Sequence, residues 1–266
     1  MSLPRTSVRA QDDGPLRVLE KAFNKGDLMV ALAPVNWRTG LALTAAHLPA
    51  GETIPLEVYL SRRHTYAFVA TTEDDRSDLD LYVRDSTGTV LTSDREPDGT
   101  PVVEFRVART GNYRVQLHLA AATAGEDWVG LALLQSRGRP LAEQTFRKAT
   151  NNLLRAMEPG GEPPAWATAP GYWAVQLILP GERSGLSLTG LGSTQGVRRL
   201  RGTALPASAE LALYLATAGG LIVGQSPPGE QPVELVIPPG PGTHDLRLET
   251  RGGREGTIVL LGATSN

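Results

Sequence analysis

Eight carboxylate side chains fall in one short stretch in the first half of the chain, and they are the residues best suited to chemistry. They are Asp74, Asp75, Asp78, Asp80, Asp85, Asp94, Glu96 and Asp98. Calcium takes about six to eight oxygen ligands, and carboxylates on adjoining loops can supply several of them. The residue types and their spacing therefore point to a calcium site, for which we select Asp78, Asp80, Asp94, Glu96 and Asp98.

The segment from Asp94 to Gly99 resembles the opening of a calcium-binding loop, because acidic residues alternate and glycine follows the fifth position. It departs from that pattern at the twelfth position, where Phe105 stands in place of a bidentate glutamate. Pro97 also stiffens the loop. The alternative is an acidic hairpin that is solvated and binds no metal.

Few residues in the chain suit catalysis. It has no cysteine, and none of its four histidines lies at metal-ligand spacing from another. The segment Gly181–Gly185 has the wrong spacing for a Gly-x-Ser-x-Gly nucleophile elbow. We therefore expect no enzymatic activity, no catalytic residues and no cofactor other than the calcium considered above.

Large aromatic side chains are the candidates for ligand stacking, since such rings pack well against sugars and peptides. Trp166 and Trp173 lie close together in the sequence, at the start of the second half of the chain. We predict them as stacking residues. The alternative is that they plug the end of a β-sandwich core.

The composition limits the classes of partner. Hydrophobic residues make up 41% of the chain and charged residues 20%, which is ordinary for a soluble globular protein. The formal net charge is −2 and no basic run occurs, so nothing favours nucleic acid. No apolar run approaches the roughly 18–20 residues of a membrane span. We expect a protein or polysaccharide partner.

The N-terminal segment bears on the location of the protein. Val8-Arg9-Ala10, before Gln11, resembles the end of a signal-peptide cleavage site, although no apolar stretch precedes it. We interpret this as an extracytoplasmic protein, periplasmic or secreted, whose signal peptide has been trimmed. The alternative is a loose terminus.

The second half of the chain repeats the first. Leu79–Val83 returns as Leu211–Leu215, a separation of 132 residues, and Val103–Phe105 returns as Val233–Leu235. Solenoid units have periods of about 20–50 residues, so a repeat this long is a whole domain. What both copies keep is scaffold on this interpretation, and what one copy alone carries is a candidate site.

The hydrophobic pattern predicts a mainly β protein. Apolar residues alternate with polar ones in many short segments, which is typical of strands with one buried face. Pro15 to Lys25 predicts a short helix that stops at Gly26, and Pro140 to Met157 predicts a second. We predict two tandem antiparallel jelly-roll-like β-sandwiches with a short helix preceding each.

Residues 56–119 resemble the bacterial pre-peptidase C-terminal (PPC) domain, a small jelly-roll-like β-sandwich. The segments that carry the resemblance are Ser77–Asp85, the acidic loop Ser93–Gly99 and the closing strand Thr110–Val115 with its Gly-x-Tyr pattern. The resemblance implies a secreted bacterial protein and a non-catalytic module for binding or substrate presentation. Some members of the family bind calcium.

The second copy departs from this pattern and is degenerate. Asp78 and Asp80 are matched by Glu210 and Ala212, so the apolar alternation survives while most acidic groups are lost. The predicted domains are a disordered N-terminal segment at 1–14, a helix with the first PPC-like sandwich at 15–137, a linker helix at 138–158 and the second sandwich at 159–266.

These features predict a non-catalytic extracytoplasmic binding or assembly module. Sheet edges and sandwich faces are expected to make its contacts, as in β-augmentation. The alternatives are an accessory domain pair of a secreted hydrolase and a carbohydrate-binding protein.

Overall fold

The computed structural model describes residues 13–158, 164–168, 172–179, 185–188, 199–217, 220–226, 229, 231–237, 244–251 and 257–265. These residues form a mainly β protein of antiparallel sheets with two helices, which confirms the predicted fold class. The helices are α1 (Gly14–Leu32) and α2 (Glu143–Met157). Neither is long and apolar enough to span a membrane.

Nine strands follow α1 and eight follow α2 among the described residues. The first set is β1 (Asn36–Trp37), β2 (Gly40–Pro49), β3 (Thr53–Leu60), β4 (Thr65–Thr72), β5 (Asp78–Arg84), β6 (Val90–Asp94), β7 (Val102–Arg106), β8 (Gly111–Ala121) and β9 (Glu126–Gln135). The second set is β10 (Trp173–Leu179), β11 (Gly185–Leu188), β12 (Arg199–Leu205), β13 (Glu210–Thr217), β14 (Ile222–Gln225), β15 (Val233–Val236), β16 (His244–Arg251) and β17 (Ile258–Thr264).

The repeat is visible strand by strand in the sheets. The small sheet of the first copy has the order β3-β8-β5-β6, and that of the second copy has the matching order β11-β16-β13-β14. The remaining strands form one large sheet in the order β15-β12-β17-β10-β2-β9-β4-β7, with β1 paired to β9. The order β2-β9-β4-β7 in the first copy corresponds to β10-β17-β12-β15 in the second, and the two halves meet at β2 and β10. The two sandwiches therefore share one continuous sheet.

The two copies join where β2 pairs antiparallel with β10. Leu43 lies opposite Leu177 and Thr44 opposite Gln176 in this register, and the Thr44 hydroxyl donates to the Val175 carbonyl oxygen at 2.9 Å. Both strands are almost wholly buried because one face of the large sheet meets the helices and the other meets the small sheets. Strands buried on both faces lose the alternating pattern that normally marks them.

The helix α1 is longer than the sequence predicts, since it continues past Gly26 to Leu32. A Cβ atom at Gly26 would lie 2.5 Å from Cη2 of Trp37. The glycine therefore allows the helix to approach the sheet closely and does not end the helix. The helix α2 begins at Glu143, three residues after the predicted start at Pro140, and ends at Met157 as predicted.

The two helices touch through a stack of aromatic rings. Phe23 of α1 lies 4.3 Å from Phe146 of α2, measured between ring centroids, with the planes 8° apart. Phe23 also stacks on Trp37 at 5.2 Å. One apolar layer thus runs under both helices, and a second fills the two sandwiches.

The predicted N-terminal segment lies outside the described residues up to residue 12, and Gly14 already belongs to α1.

Candidate functional site

The predicted calcium ligands lie along β5, at the end of β6 and in the loop that follows it. Asp78 and Asp80 belong to β5, and Asp94 ends β6. Within the described ranges, no three His, Asp or Glu side chains are grouped so that they could hold a metal ion. Calcium binding is therefore still a prediction from the sequence, and the described side chains provide no shared coordination point for it.

The carboxylates in and beside the loop accept hydrogen bonds from backbone N–H groups near them in the sequence. Asp94 accepts hydrogen bonds from the backbone N–H groups of Glu96, at 3.2 Å, and Val102, at 2.8 Å. Asp98 accepts one from the Thr100 N–H at 2.7 Å. Such bonds give the backbone N–H groups of a turn an acceptor close by in the sequence. They give the acidic residues of this segment a structural role.

Asp78 has a different environment from the loop acids. One of its carboxylate oxygens is buried and has no hydrogen-bond partner among the described residues. Burial raises the pKa of Asp78 above its ordinary value, and the nearby charges of Asp80 and Asp98 raise it further. The folded protein therefore stabilises the ionised form of Asp78 less well than the unfolded chain does.

The two predicted stacking tryptophans lie in the interior. Trp166 is 4% exposed and packs in the layer beneath the helices, and Trp173 is 3% exposed at the junction between the copies. A stacking platform needs an exposed ring face, and neither ring presents one. This geometry corrects the stacking assignment and matches the alternative of core plugs.

The outer face of the first small sheet carries an ordered polar cluster. Asp80, Tyr82 and Arg84 alternate along β5 with buried leucine and valine side chains and so face outward. The Tyr82 hydroxyl donates to Asp80 at 2.9 Å, and the Arg84 guanidinium lies 5.4 Å from the Tyr82 ring centroid. Arg84 also donates to Oε1 of Gln116 on β8 at 2.8 Å. These four side chains are called the tyrosine cluster below.

The Tyr82 hydroxyl is held in its protonated form. Burial raises the pKa of Tyr82, as do its hydrogen bond to Asp80 and the negative charge of that carboxylate. The hydroxyl thus serves as a donor that fixes the ring. Asp80 is predictable from the sequence as a candidate residue, but Tyr82, Arg84 and Gln116 are not, although the β5 positions have a visible two-residue spacing.

Two of the polar partners of this cluster are replaced by alanine in the second copy. Its β13 carries Ala212, Tyr214 and Ala216 at the positions of Asp80, Tyr82 and Arg84. The register is the same, since Tyr214 pairs with Arg247 as Tyr82 pairs with Gln116. The cluster is therefore a property of one copy on a scaffold that both copies share.

A second unusual surface lies at the outer edge of the second sandwich. Leu221, Ile222 and Val223, at and just before β14, are 69%, 49% and 39% exposed, and Val236 at the end of β15 is 62% exposed. The strands are neighbours, because a Cβ at Gly224 on β14 would lie 3.7 Å from the Val236 carbonyl oxygen. Leu221, Ile222, Val223 and Val236 are called the apolar edge below.

The matching edge of the first copy is polar at two of its four positions, while Val90 and Leu91 are 41% and 45% exposed. Thr89, Val90 and Leu91 correspond to the three residues at β14, and Arg106 corresponds to Val236 because Val103–Arg106 aligns with Val233–Val236. Arg106 is exposed and donates to the Thr65 hydroxyl at 2.7 Å. Charged side chains at sheet edges oppose pairing with further strands. The second copy has lost this charge.

The helices also border a groove with a volume of about 220 Å³. Leu16 and Phe146 supply apolar lining, and an ion pair of 2.9 Å between Glu20 and Arg147 joins the two helices beside it. Arg17, which also lines the groove, pairs with Glu73 at 2.6 Å. The arrangement fits a helix–helix contact better than a ligand site.

Comparisons with known proteins found distant structural similarities. No protein-family model matches the chain, and no curated protein sequence matches it. A pre-peptidase C-terminal domain of collagenase from Bacillus anthracis is similar over 37% of this chain and 92% of its own, with 11% identity and a TM-score of 0.30. The tandem CBM51 modules of a family 98 glycoside hydrolase from Streptococcus pneumoniae are similar over 82% of both chains, with 11% identity and a TM-score of 0.24.

A further similar structure is PliG of Aeromonas hydrophila, a periplasmic inhibitor of g-type lysozyme. It matches 36% of this chain and 87% of its own, with 12% identity and a TM-score of 0.28. At these identities and TM-scores the similarities carry no argument about function.

Proposed function

We propose that the chain is a non-catalytic, extracytoplasmic binding module that takes an extended strand of a protein partner along the apolar edge. The observation that carries this proposal is the exposure of three consecutive apolar residues, Leu221, Ile222 and Val223, beside Val236. Such a run on a surface is unfavourable in water and is typical of an interaction site.

The backbone geometry supports the addition of a strand at this edge. The strand β14 is the last in its sheet and pairs with β13 on one side only in the described part of the chain. A partner strand would use the backbone groups on the other side, and its side chains would cover the apolar edge. Recognition by β-augmentation combines these two kinds of contact.

The chemistry of the partner follows from the chemistry of the edge. Fully burying one aliphatic side chain is worth about 1.5–3 kcal/mol, so the four residues of the apolar edge favour a partner strand with alternating β-branched or apolar side chains. The ion pair of Arg201 with Glu234 on β12 and β15, at 2.7 Å, is already complete. The edge therefore favours an apolar partner over a charged one.

Tandem PPC-like sandwiches in a periplasmic or secreted protein are part of the proposal. The PPC-like pattern of the first copy and the cleavage-site resemblance near Ala10 support that setting. In this account the second copy has exchanged the acidic loop for a contact surface. The large sheet that joins the copies holds that surface in a fixed place.

Selection of random peptides displayed on phage against the full chain tests the proposal. We expect enrichment of peptides rich in valine, isoleucine and aromatic residues. The double variant Val223→Lys/Val236→Arg should weaken their binding at least tenfold, because it restores charge to the edge. The matched control is Leu91→Lys, at the equivalent position of the first copy, which should leave the affinity unchanged.

Three results would contradict the proposal. The first is that no peptides are enriched, and the second is that the enriched peptides bind the double variant and the parent chain equally well. The third is a stable dimer in light scattering that the double variant dissociates. In that case the occupant of the edge is a second copy of the chain and not a different protein.

A further inference from the structure

The tyrosine cluster belongs to a larger flat face. The outward side chains of β3 include Glu57 and Tyr59, and Tyr59 is 63% exposed. Glu57 receives a hydrogen bond from Arg114 of β8 at 2.7 Å. Tyr59 lies opposite Asn112, and Tyr82 lies opposite Gln116, on the two sides of the same strand.

This register sets the spacing of the two tyrosines. Their partners on β8, Asn112 and Gln116, are four residues apart, and β8 lies between the strands β3 and β5 that carry the tyrosines. A strand rises about 3.4 Å per residue and strands lie about 4.8 Å apart, so the two Cα atoms are roughly 17 Å apart on one face. The Glu57–Arg114 pair lies between them.

Charged side chains of both signs lie on the face. Glu57 pairs with Arg114, Asp80 and Arg84 lie on either side of Tyr82, and Asp78 also faces outward on β5. The face therefore offers rings, carboxylates, guanidiniums and an amide close to one another. Neighbouring side chains hold these polar groups in place, because Tyr82 donates a hydrogen bond to Asp80 and Arg84 donates one to Gln116.

We propose that this face is a second binding site, which takes an extended chain of a neutral polysaccharide from Tyr59 across to Tyr82. The apolar face of a sugar ring packs on an aromatic side chain, and its hydroxyl groups pair with the carboxylate, guanidinium and amide groups placed between the rings. Two rings about 17 Å apart favour a polymer over a single sugar.

The described residues of the second copy do not repeat this arrangement, because Tyr214 lies between Ala212 and Ala216 on its strand. We therefore expect Tyr214 to take no part in polysaccharide binding. This site is independent of the apolar edge, since the two surfaces share no residue and belong to different copies. Failure of one proposal leaves the other standing.

Electrophoresis of the full chain through gels that contain hydroxyethylcellulose, laminarin, galactomannan or dextran tests this inference. We expect at least one of these polysaccharides to retard the chain. Tyr82→Ala and Tyr59→Ala should each reduce the affinity at least tenfold, and Tyr82→Phe should reduce it less because the ring is kept. Tyr214→Ala is the matched control and should bind within twofold of the parent chain.

Thermal unfolding of each variant shows whether it is folded, and Tyr59→Ala at an exposed position keeps the test usable if Tyr82→Ala does not fold. The inference is overturned if none of the four polysaccharides retards the chain, or if Tyr59→Ala and Tyr82→Phe bind as the parent does. Retention of carboxymethylated, unfolded lactalbumin that depends on Tyr59 would also overturn it, since the face would then bind extended protein.

Discussion

The indole Nε1 of Trp173 on β10 donates a hydrogen bond of 3.1 Å to the carbonyl oxygen of Pro55 on β3. This bond crosses from the second copy to the first, above the β2–β10 pairing that makes the large sheet continuous. Trp173 is 3% exposed, so the bond is shielded from water. The two sandwiches are therefore joined by a backbone ladder and by a side chain packed over it.

Replacing Trp173 by Phe should destabilise the protein more than replacing Trp166 by Phe. Both rings are buried, but the Trp166 indole nitrogen has no hydrogen-bond partner among the described residues. The first variant also leaves the Pro55 carbonyl oxygen without its donor, at a cost of about 1–2 kcal/mol. Urea unfolding of the two variants measures the difference, and an equal loss in both would contradict the role given to this bond.

Gly26→Ala should lower the free energy of unfolding by about 1–3 kcal/mol, because the new methyl group would overlap Trp37. Helix propensity alone predicts the opposite, a gain of about 1 kcal/mol for alanine over glycine. The exposed Asn24→Ala on the same helix is the control and should be neutral or slightly stabilising. Thermal unfolding decides the sign, and a more stable Gly26→Ala variant would show that the helix packs less closely.

The fold could be predicted from the sequence where a strand has one buried face and one solvent-exposed face. Leu79, Leu81 and Val83 alternate with polar residues, and the same pattern at Leu211–Leu215 made the repeat visible. The large sheet was not predictable in the same way. The strand β2 is buried on both faces, so its sequence does not show which strand it pairs with.

The candidate sites were harder to predict than the fold. The carboxylates of Asp94 and Asp98 have the spacing of metal ligands, but they accept hydrogen bonds from the backbone N–H groups of Val102 on β7 and Thr100 in the loop. Tyr82 was overlooked because its role depends on Arg84 beside it and Gln116 on another strand. Exposure at Val236 depends on the strand order, which no local pattern encodes.

The pH dependence of stability should differ in sign for Asp78 and Asp74. Burial raises the pKa of Asp78, so its contribution to stability is present below its unfolded pKa and is lost as the pH rises through the folded value. Hydrogen bonds from Arg76 lower the pKa of Asp74 from 3.8 to about 2, so its contribution is present above 3.8 and is lost as the pH falls toward 2.

Asp78→Asn should therefore stabilise the protein at pH 7, and the gain should shrink toward pH 3. Asp74→Asn should destabilise it at pH 7, and the loss should shrink toward pH 2. Urea unfolding of both variants and the parent chain over this pH range measures the effects. Two variants with the same sign at pH 7 would contradict the environments described for these carboxylates.

Val236→Arg alone should leave the free energy of unfolding within about 0.5 kcal/mol of the parent value, because Val236 is 62% exposed. The substitution makes this edge resemble that of the first copy, where Arg106 stands. Circular dichroism during thermal unfolding checks this. A large loss of stability would show that Val236 packs against its own chain and is not available to a partner.

Amide hydrogen exchange of the full chain, with and without a peptide selected on it, tests the central claim most directly. The claim is that a partner strand adds to β14 along the apolar edge. We expect the amides of Ile222–Gln225 to become protected on binding, while those of the matching strand Val90–Asp94 exchange as before. Protection at Val90–Asp94 instead, or no change at Ile222–Gln225 in a saturated complex, would contradict it.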